Sequence, residues 1–439
     1  MLLTLLLLIP PLLAVLVLPP IHAMGQGMLP QTVAPALATK FNAKCLSGAA
    51  PTYLLRRNTS STRWLIFLEG GGWCYGNTTA STISSCSQRA GAGAAMLRRS
   101  IDNDVLDYGG ILGRNSTTNP QFYTWNVAFL HYCDGASFGS NRQAPINITK
   151  PDGTKQQIYM RGRSNFDALI SDLLLHHGMD MATDIILSGG SAGGLAVFYN
   201  LDHLAKDLLP LHINHTIRVT GFPDAGFFMD ASNYVADFRG ADPVWNVTGS
   251  IGTNRRCLKA YSTADAWHCL LAPFLLEHIE TPIFIMNSAY DAWQIVNNNV
   301  GCVSLPKKPC NDTSVQQYGE KLKERVKQGL RNKTKRFHPH VVNANGAYID
   351  SCYVHEQNVN YCSDQNWGPN CVGWSPLESG SLKWGYSTAI QHLPPQEAFS
   401  MYYFSKGSIE DEDEKYLFID DEMLQKNPTC IYQGSMSIS

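Results

Sequence analysis

The sequence predicts an α/β fold, a mostly parallel sheet with helices on both faces. Two observations carry this. Short, continuously apolar runs alternate with helical stretches, the pattern of strands buried on both sides. A G-x-S-x-G pentapeptide, Gly189-Gly190-Ser191-Ala192-Gly193, also stands between an apolar run and a helix-like run. A serine there sits on a sharp turn with its Oγ pushed out of the packed layers. The following helix aims its N-terminal amides at the same spot.

In order, residues 24–62 read as a Pro-rich lead-in of mixed pattern. Residues 63–68 form a buried strand that runs straight into Glu69-Gly70-Gly71-Gly72-Trp73-Cys74. Residues 81–119 are small and polar without a clear period, and read as loop with short helices. Residues 125–130 are the next strand. Ser164 starts a helix, with Asp167 as a weak capping partner. Phe166, Leu169, Ile170, Leu173 and Leu174 line one face of it, and Gly178 stops it. Residues 184–187 lead into the pentapeptide, and 195–206 continue as helix. Further strands are expected at 217–220, 282–287 and 341–344. Thr313 to Gln316 resembles a capping box, and Val315, Tyr318, Leu322, Val326 and Leu330 mark one face of the helix behind it. The chain thus reads as one domain over 24–439. Cap insertions are expected at about 229–280 and 292–340.

At 439 residues the chain can bury a large core. Hydrophobic residues are 44%, charged residues 16%, and the formal net charge is −2, which gives no case for nucleic-acid binding. Residues 1–23 read as a cleaved signal peptide: apolar, broken by prolines, and ending at Ile21-His22-Ala23. No later run is long enough to span a bilayer, so no membrane association is expected after cleavage. Twelve cysteines lie beyond that segment, an even number that can pair completely in an oxidising compartment. Close spacing suggests Cys74 with Cys86, Cys257 with Cys269, Cys302 with Cys310, and Cys362 with Cys371. The cysteines do not group with histidines at zinc spacing, so no metal and no cofactor is expected. Eight N-x-[ST] sequons, at Asn58, Asn77, Asn115, Asn147, Asn214, Asn246, Asn311 and Asn332, point to a glycosylated, secreted protein.

Serine is a weak nucleophile at its own pKa. It needs a base within hydrogen-bond reach, and the base needs a carboxylate to hold its tautomer. In α/β-hydrolases these follow in the order Ser, acid, His, each just past a strand. Ser191, Asp291 and His355 fit that order. Asp224 also follows a strand and competes as the acid. His131, His203, His338 and His340 are the other histidines weighed as base. The glycines after residue 68 let backbone amides approach a ligand, as an oxyanion loop requires. Trp73 beside them reads as lining an acyl pocket or stacking on a sugar, with ordinary core packing as the alternative.

Several motifs together resemble the pectin acetylesterase/Notum family. They are Phe67-Leu68-Glu69-Gly70-Gly71-Gly72-Trp73-Cys74, Tyr132-Cys133-Asp134-Gly135-Ala136-Ser137-Phe138, Leu187-Ser188-Gly189-Gly190-Ser191-Ala192-Gly193-Gly194-Leu195, Asp224-Ala225-Gly226-Phe227-Phe228, Tyr290-Asp291-Ala292-Trp293-Gln294 and Ser351-Cys352-Tyr353-Val354-His355. Asn427-Pro428-Thr429-Cys430 resembles the C-terminal end of the plant members. The resemblance spans roughly residues 40–430. It implies an α/β-hydrolase fold and carboxylesterase chemistry, with Ser191 as nucleophile, Asp291 as acid and His355 as base. It places the oxyanion donors on Gly71, Gly72 and Ala192. The chain departs from the plant pattern at Gly190, where plant members commonly carry Cys, and in the acidic run 410–414. The expected activity is removal of acetyl groups from a polysaccharide such as pectin. The alternatives are a Notum-like deacylase acting on a lipidated signalling protein, and an inactive binding protein on the same fold.

Overall fold

The computed structural model describes residues 27–99, 108–150, 152–298, 300, 313–337, 345–360, 389–405, 415–424 and 426–430, without the side chains of 92–99 and 360. The expected signal peptide, the sequon at Asn311, His338, His340, the 341–344 strand, the 410–414 run and the cysteines at 302, 310, 362 and 371 lie outside these residues.

Nine strands form the main sheet: β1 (Leu29–Thr32), β2 (Thr52–Arg56), β3 (Arg63–Leu68), β4 (Asn126–Leu130), β5 (Asp184–Gly190), β6 (Arg218–Asp224), β7 (Phe284–Ser288), β8 (Gly346–Asp350) and β9 (Leu417–Ile419). Their spatial order is β1-β2-β4-β3-β5-β6-β7-β8-β9. Pairing is parallel from β4 through β9, and the first two strands add an antiparallel edge. This is the expected α/β-hydrolase architecture, with the antiparallel edge as an addition. That edge forms because 27–56, expected as a lead-in, contains two strands and a short helix, α1 (Pro35–Phe41). β2 alternates poorly in sequence, yet Tyr53, Leu54 and Leu55 are all buried once it pairs with β4.

Alternate residues of each central strand enter two separate cores. Trp64, Ile66, Leu68, Ile185, Leu187, Ile283 and Ile285 face one side. There they meet Phe166, Leu169 and Leu173 of α3 (Gly162–His176) and Leu195 and Phe198 of α4 (Ala192–Asp202). Leu65, Phe67, Ile186, Phe222, Phe284 and Met286 face the other side. In sequence this alternation is invisible, because both faces are apolar.

Several local readings change. Residues 79–99 form one long helix, α2 (Thr79–Arg99), rather than loop with short helices. α3 begins at Gly162, not Ser164, because the Gly162 amide donates to Ser140 Oγ (2.9 Å). Asp167 is thereby inside the helix and meets His203 Nε2 (2.7 Å) instead of capping. β8, not expected from sequence, pairs in parallel with β7. Residues 229–280 carry α5 (Ser232–Trp245) and several shorter helical pieces, and Trp245 Nε1 donates to the Cys74 carbonyl (2.8 Å). Behind them follow α6 (Ala292–Asn297), α7 (Thr313–Phe337) and α8 (Pro395–Phe404). Val315, Leu322, Val326 and Leu330 of α7 are buried, as their spacing requires.

Cys74–Cys86 and Cys257–Cys269 are bonded as their spacing suggests. Cys45–Cys133 and Cys352–Cys430 join residues far apart in sequence, which spacing does not reveal. Among the described residues no cysteine is free, no helix is long and apolar enough to cross a membrane, and no His/Cys/Asp/Glu group could hold a metal ion.

On the second face α8 lays Phe399 flat against Phe222, with ring centroids 3.9 Å apart. Both rings are fully buried. Phe399→Ala is therefore expected to destabilise the fold by about 3–5 kcal/mol. Equilibrium urea unfolding checks this, and a loss under about 1 kcal/mol would contradict the packing described.

Candidate active site

The strands β3, β5, β6, β7 and β8 all end at one edge of the sheet, and the loops beyond them converge there. At the end of β5, Ser191 adopts φ 53° and ψ −121° between Gly190 and the start of α4. A side chain in this region costs on the order of 1–3 kcal/mol of strain. Two contacts hold it. The Ser191 amide donates to the Asp224 carbonyl (3.0 Å), and the Leu195 amide donates to the Ser191 carbonyl (2.9 Å). Gly193 is required because a Cβ there would lie 2.0 Å from the Leu68 carbonyl oxygen of the neighbouring strand. Only glycine lets α4 begin this close to β3.

His355 lies beyond β8. With its Nδ1 protonated, the ring donates to Asp291 Oδ2 (2.8 Å), and its Nε2 accepts from the Ser191 hydroxyl (2.9 Å). Asp291 follows β7 and is fully buried. Its two oxygens divide the work: Oδ1 accepts the Gln294 amide (2.9 Å) and caps α6, while Oδ2 holds the imidazole. The capping role and the orienting role of this aspartate therefore coexist. Burial lowers the affinity of His355 for a proton, but the Asp291 charge and hydrogen bond, with the Glu356 and Asp224 charges, outweigh it. The imidazole is pushed up to about 9.

The other candidates stand elsewhere. His131 Nδ1 faces Glu69 (3.3 Å), and His203 is held between Asp167 and Asp207. Asp224 does not touch the imidazole; its Oδ2 accepts the amides of Gln357 and Asn358 (the latter 2.7 Å), the two residues after Glu356.

The glycine loop lies against the serine: a Cβ on Gly70 would be 3.1 Å from Ser191 Cβ. Gly71 and Gly72 take φ 121° and 64°, which glycine alone adopts without strain. The Gly71 carbonyl accepts from Arg89 Nη1 (2.8 Å), which fixes the peptide that carries the Gly72 amide. Ala192 is the first residue of α4, so its amide has no intrahelical partner. Behind it runs a short chain of hydrogen bonds. Trp73 Nε1 donates to Ser137 Oγ (2.7 Å), which donates to the Ala192 carbonyl (2.7 Å). Ser137 and Arg89 were not singled out from sequence as functional; Ser137 lies inside a motif that carries the resemblance, whereas nothing in the helix pattern marks Arg89.

Trp73 is nearly buried within a wall of rings. Its centroid lies 4.7 Å from Phe228, 5.1 Å from Phe238 and 5.4 Å from Trp293. Trp293 in turn lies 6.2 Å from the His355 ring. Trp293 thus links this group of rings to His355.

The family model described as Pectinacetylesterase matches residues 28–370. The chain is 31% identical over 341 residues to pectin acetylesterase 5 of Arabidopsis thaliana, covering 74% of this chain and 73% of that one. It is 27% identical over 419 residues to pectin acetylesterase 11 of the same plant, covering 92% and 93%. Palmitoleoyl-protein carboxylesterase NOTUM of Schmidtea mediterranea is 27% identical over 59% of this chain and 48% of its own length. The fold is similar to that of the Wnt deacylase Notum from Drosophila, with a TM-score of 0.64 and 20% identity over 92% of this chain and all of that one. The chain therefore belongs to the pectinacetylesterase family and is a carboxylic-ester hydrolase.

Proposed function

We propose that this esterase removes acetyl groups from an acetylated polysaccharide through an acyl-enzyme on Ser191. The observation that carries the mechanism is His355 bridging Asp291 and Ser191 at 2.8 and 2.9 Å. His355 Nε2 takes the Ser191 proton as Oγ attacks the acetyl carbonyl. The amides of Gly71, Gly72 and Ala192 are the proposed donors to the oxyanion. On collapse His355 returns the proton to the departing sugar oxygen. Water then loses a proton to His355, attacks the acetyl-serine, and releases acetate and the free serine.

A short acyl group is supported by the likeness to the pectin acetylesterases, one of them 31% identical over 74% of this chain. The likeness of the chain to both pectin acetylesterases and Notum proteins makes acyl length the deciding measurement. With 4-nitrophenyl esters, kcat/KM is expected to fall from acetate to butyrate to octanoate. A slot matched to a long chain would gain about 0.8 kcal/mol per methylene, so octanoate exceeding acetate tenfold would replace this reading with that of a long-chain deacylase.

Ser191→Ala and His355→Ala are expected to lower kcat by roughly 10⁶-fold, as in a serine protease triad, without unfolding the chain. Asp291→Asn is expected to cost about 10⁴-fold by holding the wrong tautomer. The base must be neutral to act. Because His355 is raised above the ordinary value of about 6.5, activity rises with pH on the alkaline side of neutrality and is lost below it. A kcat/KM profile already flat at pH 6.5 would contradict that environment.

The proposal extends to a secreted, N-glycosylated protein. Asn77, Asn115, Asn147, Asn214 and Asn332 are exposed. Asn58 is half-buried, and its amide nitrogen donates to the Thr124 carbonyl (2.7 Å). Asn246 is also half-buried, with its amide on the Asn141 carbonyl (3.4 Å). Glycan mapping of the protein from secreting cells is expected to find sugar at the exposed sites and little at Asn58. Bare asparagine at all of the exposed sites would refute the extension.

A further inference from the structure

Asp224 is buried at the C-terminal end of β6, opposite Gly190 in the parallel register. Its carbonyl oxygen accepts the Ser191 amide (3.0 Å). Its Oδ2 accepts the amides of both Gln357 and Asn358, while its Oδ1 has no hydrogen-bond partner. All the hydrogen bonding of this carboxylate therefore goes into the segment that directly follows His355-Glu356. That segment needs holding, because Glu356 sits at φ 57°. Its side chains reach back into the same strands: Gln357 Nε2 donates to Asp350 Oδ2 (2.7 Å) and Asn358 Nδ2 to Ser188 Oγ (3.1 Å).

We propose that Asp224 is a positioning residue that sets nucleophile and base from one point, its backbone gripping the serine turn and its carboxylate gripping the histidine loop. The proposal rests on the serine mechanism above and adds a residue to it. A displaced base loop shifts His355 Nε2 relative to Ser191 Oγ without touching the substrate site, so the effect falls on kcat rather than KM. There is also an electrostatic consequence. Asp224 faces His355 and Glu356, and His355 faces Asp291, Glu356 and Asp224. Burial, with the Glu356 charge, raises Asp224 to about 7 against the two amide bonds and the His355 charge that lower it. Its charge therefore grows above neutrality, toward the range in which His355 loses its proton, and favours the protonated imidazole there.

The test measures kcat and KM for 4-nitrophenyl acetate across the acid limb for wild type, Asp224→Ala, Asp224→Asn and Ser191→Ala, with folding checked by near-UV circular dichroism. Asp224→Ala, which removes the acceptor, is expected to lower kcat on the order of 10²-fold with KM nearly unchanged. Asp224→Asn keeps an oxygen for the two amides. It is expected to recover most of kcat and to move the acid limb to lower pH, since one charge facing His355 is gone. If Ser191→Ala remains active, the serine mechanism fails and this proposal falls with it. If Ser191→Ala is inactive while folded Asp224→Ala keeps kcat within roughly threefold of wild type, only the positioning role is wrong. Should Asp224→Ala not fold, Asp224→Ser, whose shorter side chain cannot reach the two amides, decides by the same reading of kcat against KM, and kcat within roughly threefold of wild type overturns the proposal.

Discussion

Ser191 at positive φ is the constraint on which the rest of the structure depends. A strand must end and a helix begin within one residue, so that the hydroxyl stands clear of both layers. That turn is strained, and it persists only because its surroundings over-determine it. β3 and β6 flank β5 on either side. Gly193 touches the β3 backbone, and the Ser191 amide is taken up by the end of β6. The central sheet is thus a clamp for one residue. The two apolar cores on its faces supply the stability against which the strain is set.

The second requirement of the proposed mechanism is delivery of its base, His355, from far along the chain. His355 arrives on a loop, and loops are positioned by hydrogen bonds rather than by packing alone. Four ties hold this one. Asp224 and Asp350 bind its backbone and the Gln357 side chain, Ser188 binds Asn358, and Cys352 is bonded to Cys430. The Ser288 hydroxyl adds a fifth by donating to the Cys352 carbonyl. The segment around Asp420 is drawn in as well, through Ser351 Oγ (2.7 Å) and Asn427 Nδ2 (2.6 Å). Asp420, Asn427 and Cys430 therefore brace the loop that carries His355.

In the proposed mechanism chemistry and specificity fall to separate parts. The bonded line from Asp291 through His355 to Ser191 is generic to ester hydrolysis. The wall of Trp73, Phe228, Phe238 and Trp293 bounds the space beside it. Trp73 belongs to both, since its ring packs in the wall while its N–H reaches the Ala192 peptide through Ser137. A change in the wall is therefore felt at the turn that carries Ser191.

Much of the fold was legible in the sequence. The strands at 63–68, 126–130, 184–190 and 284–288 each carry an unbroken apolar run (Trp64–Leu68, Val127–Leu130, Ile185–Leu187 and Phe284–Met286), which is what a strand covered on both faces requires. The Gly-rich pentapeptide marked the turn because only small residues fit between a strand and a helix at that distance. Local disulfides were visible in close spacing. Other features were not. The strand 52–56 and the helix 79–99 have weak periodicity, and tertiary contacts decide them. The pairings Cys45–Cys133 and Cys352–Cys430 close long loops, for which spacing carries no information. The sequence by itself determined the class of fold, the order of serine, aspartate and histidine, and the family resemblance. Only the tertiary structure decided which aspartate meets the imidazole. Asp224 and Asp291 both follow a strand, and they are told apart by what lies opposite each carboxylate: two backbone amides for one, the His355 ring for the other. A hydrogen bond depends on distance and direction in space, and those are fixed by the register of β6, β7 and β8 rather than by any residue's neighbours in the chain.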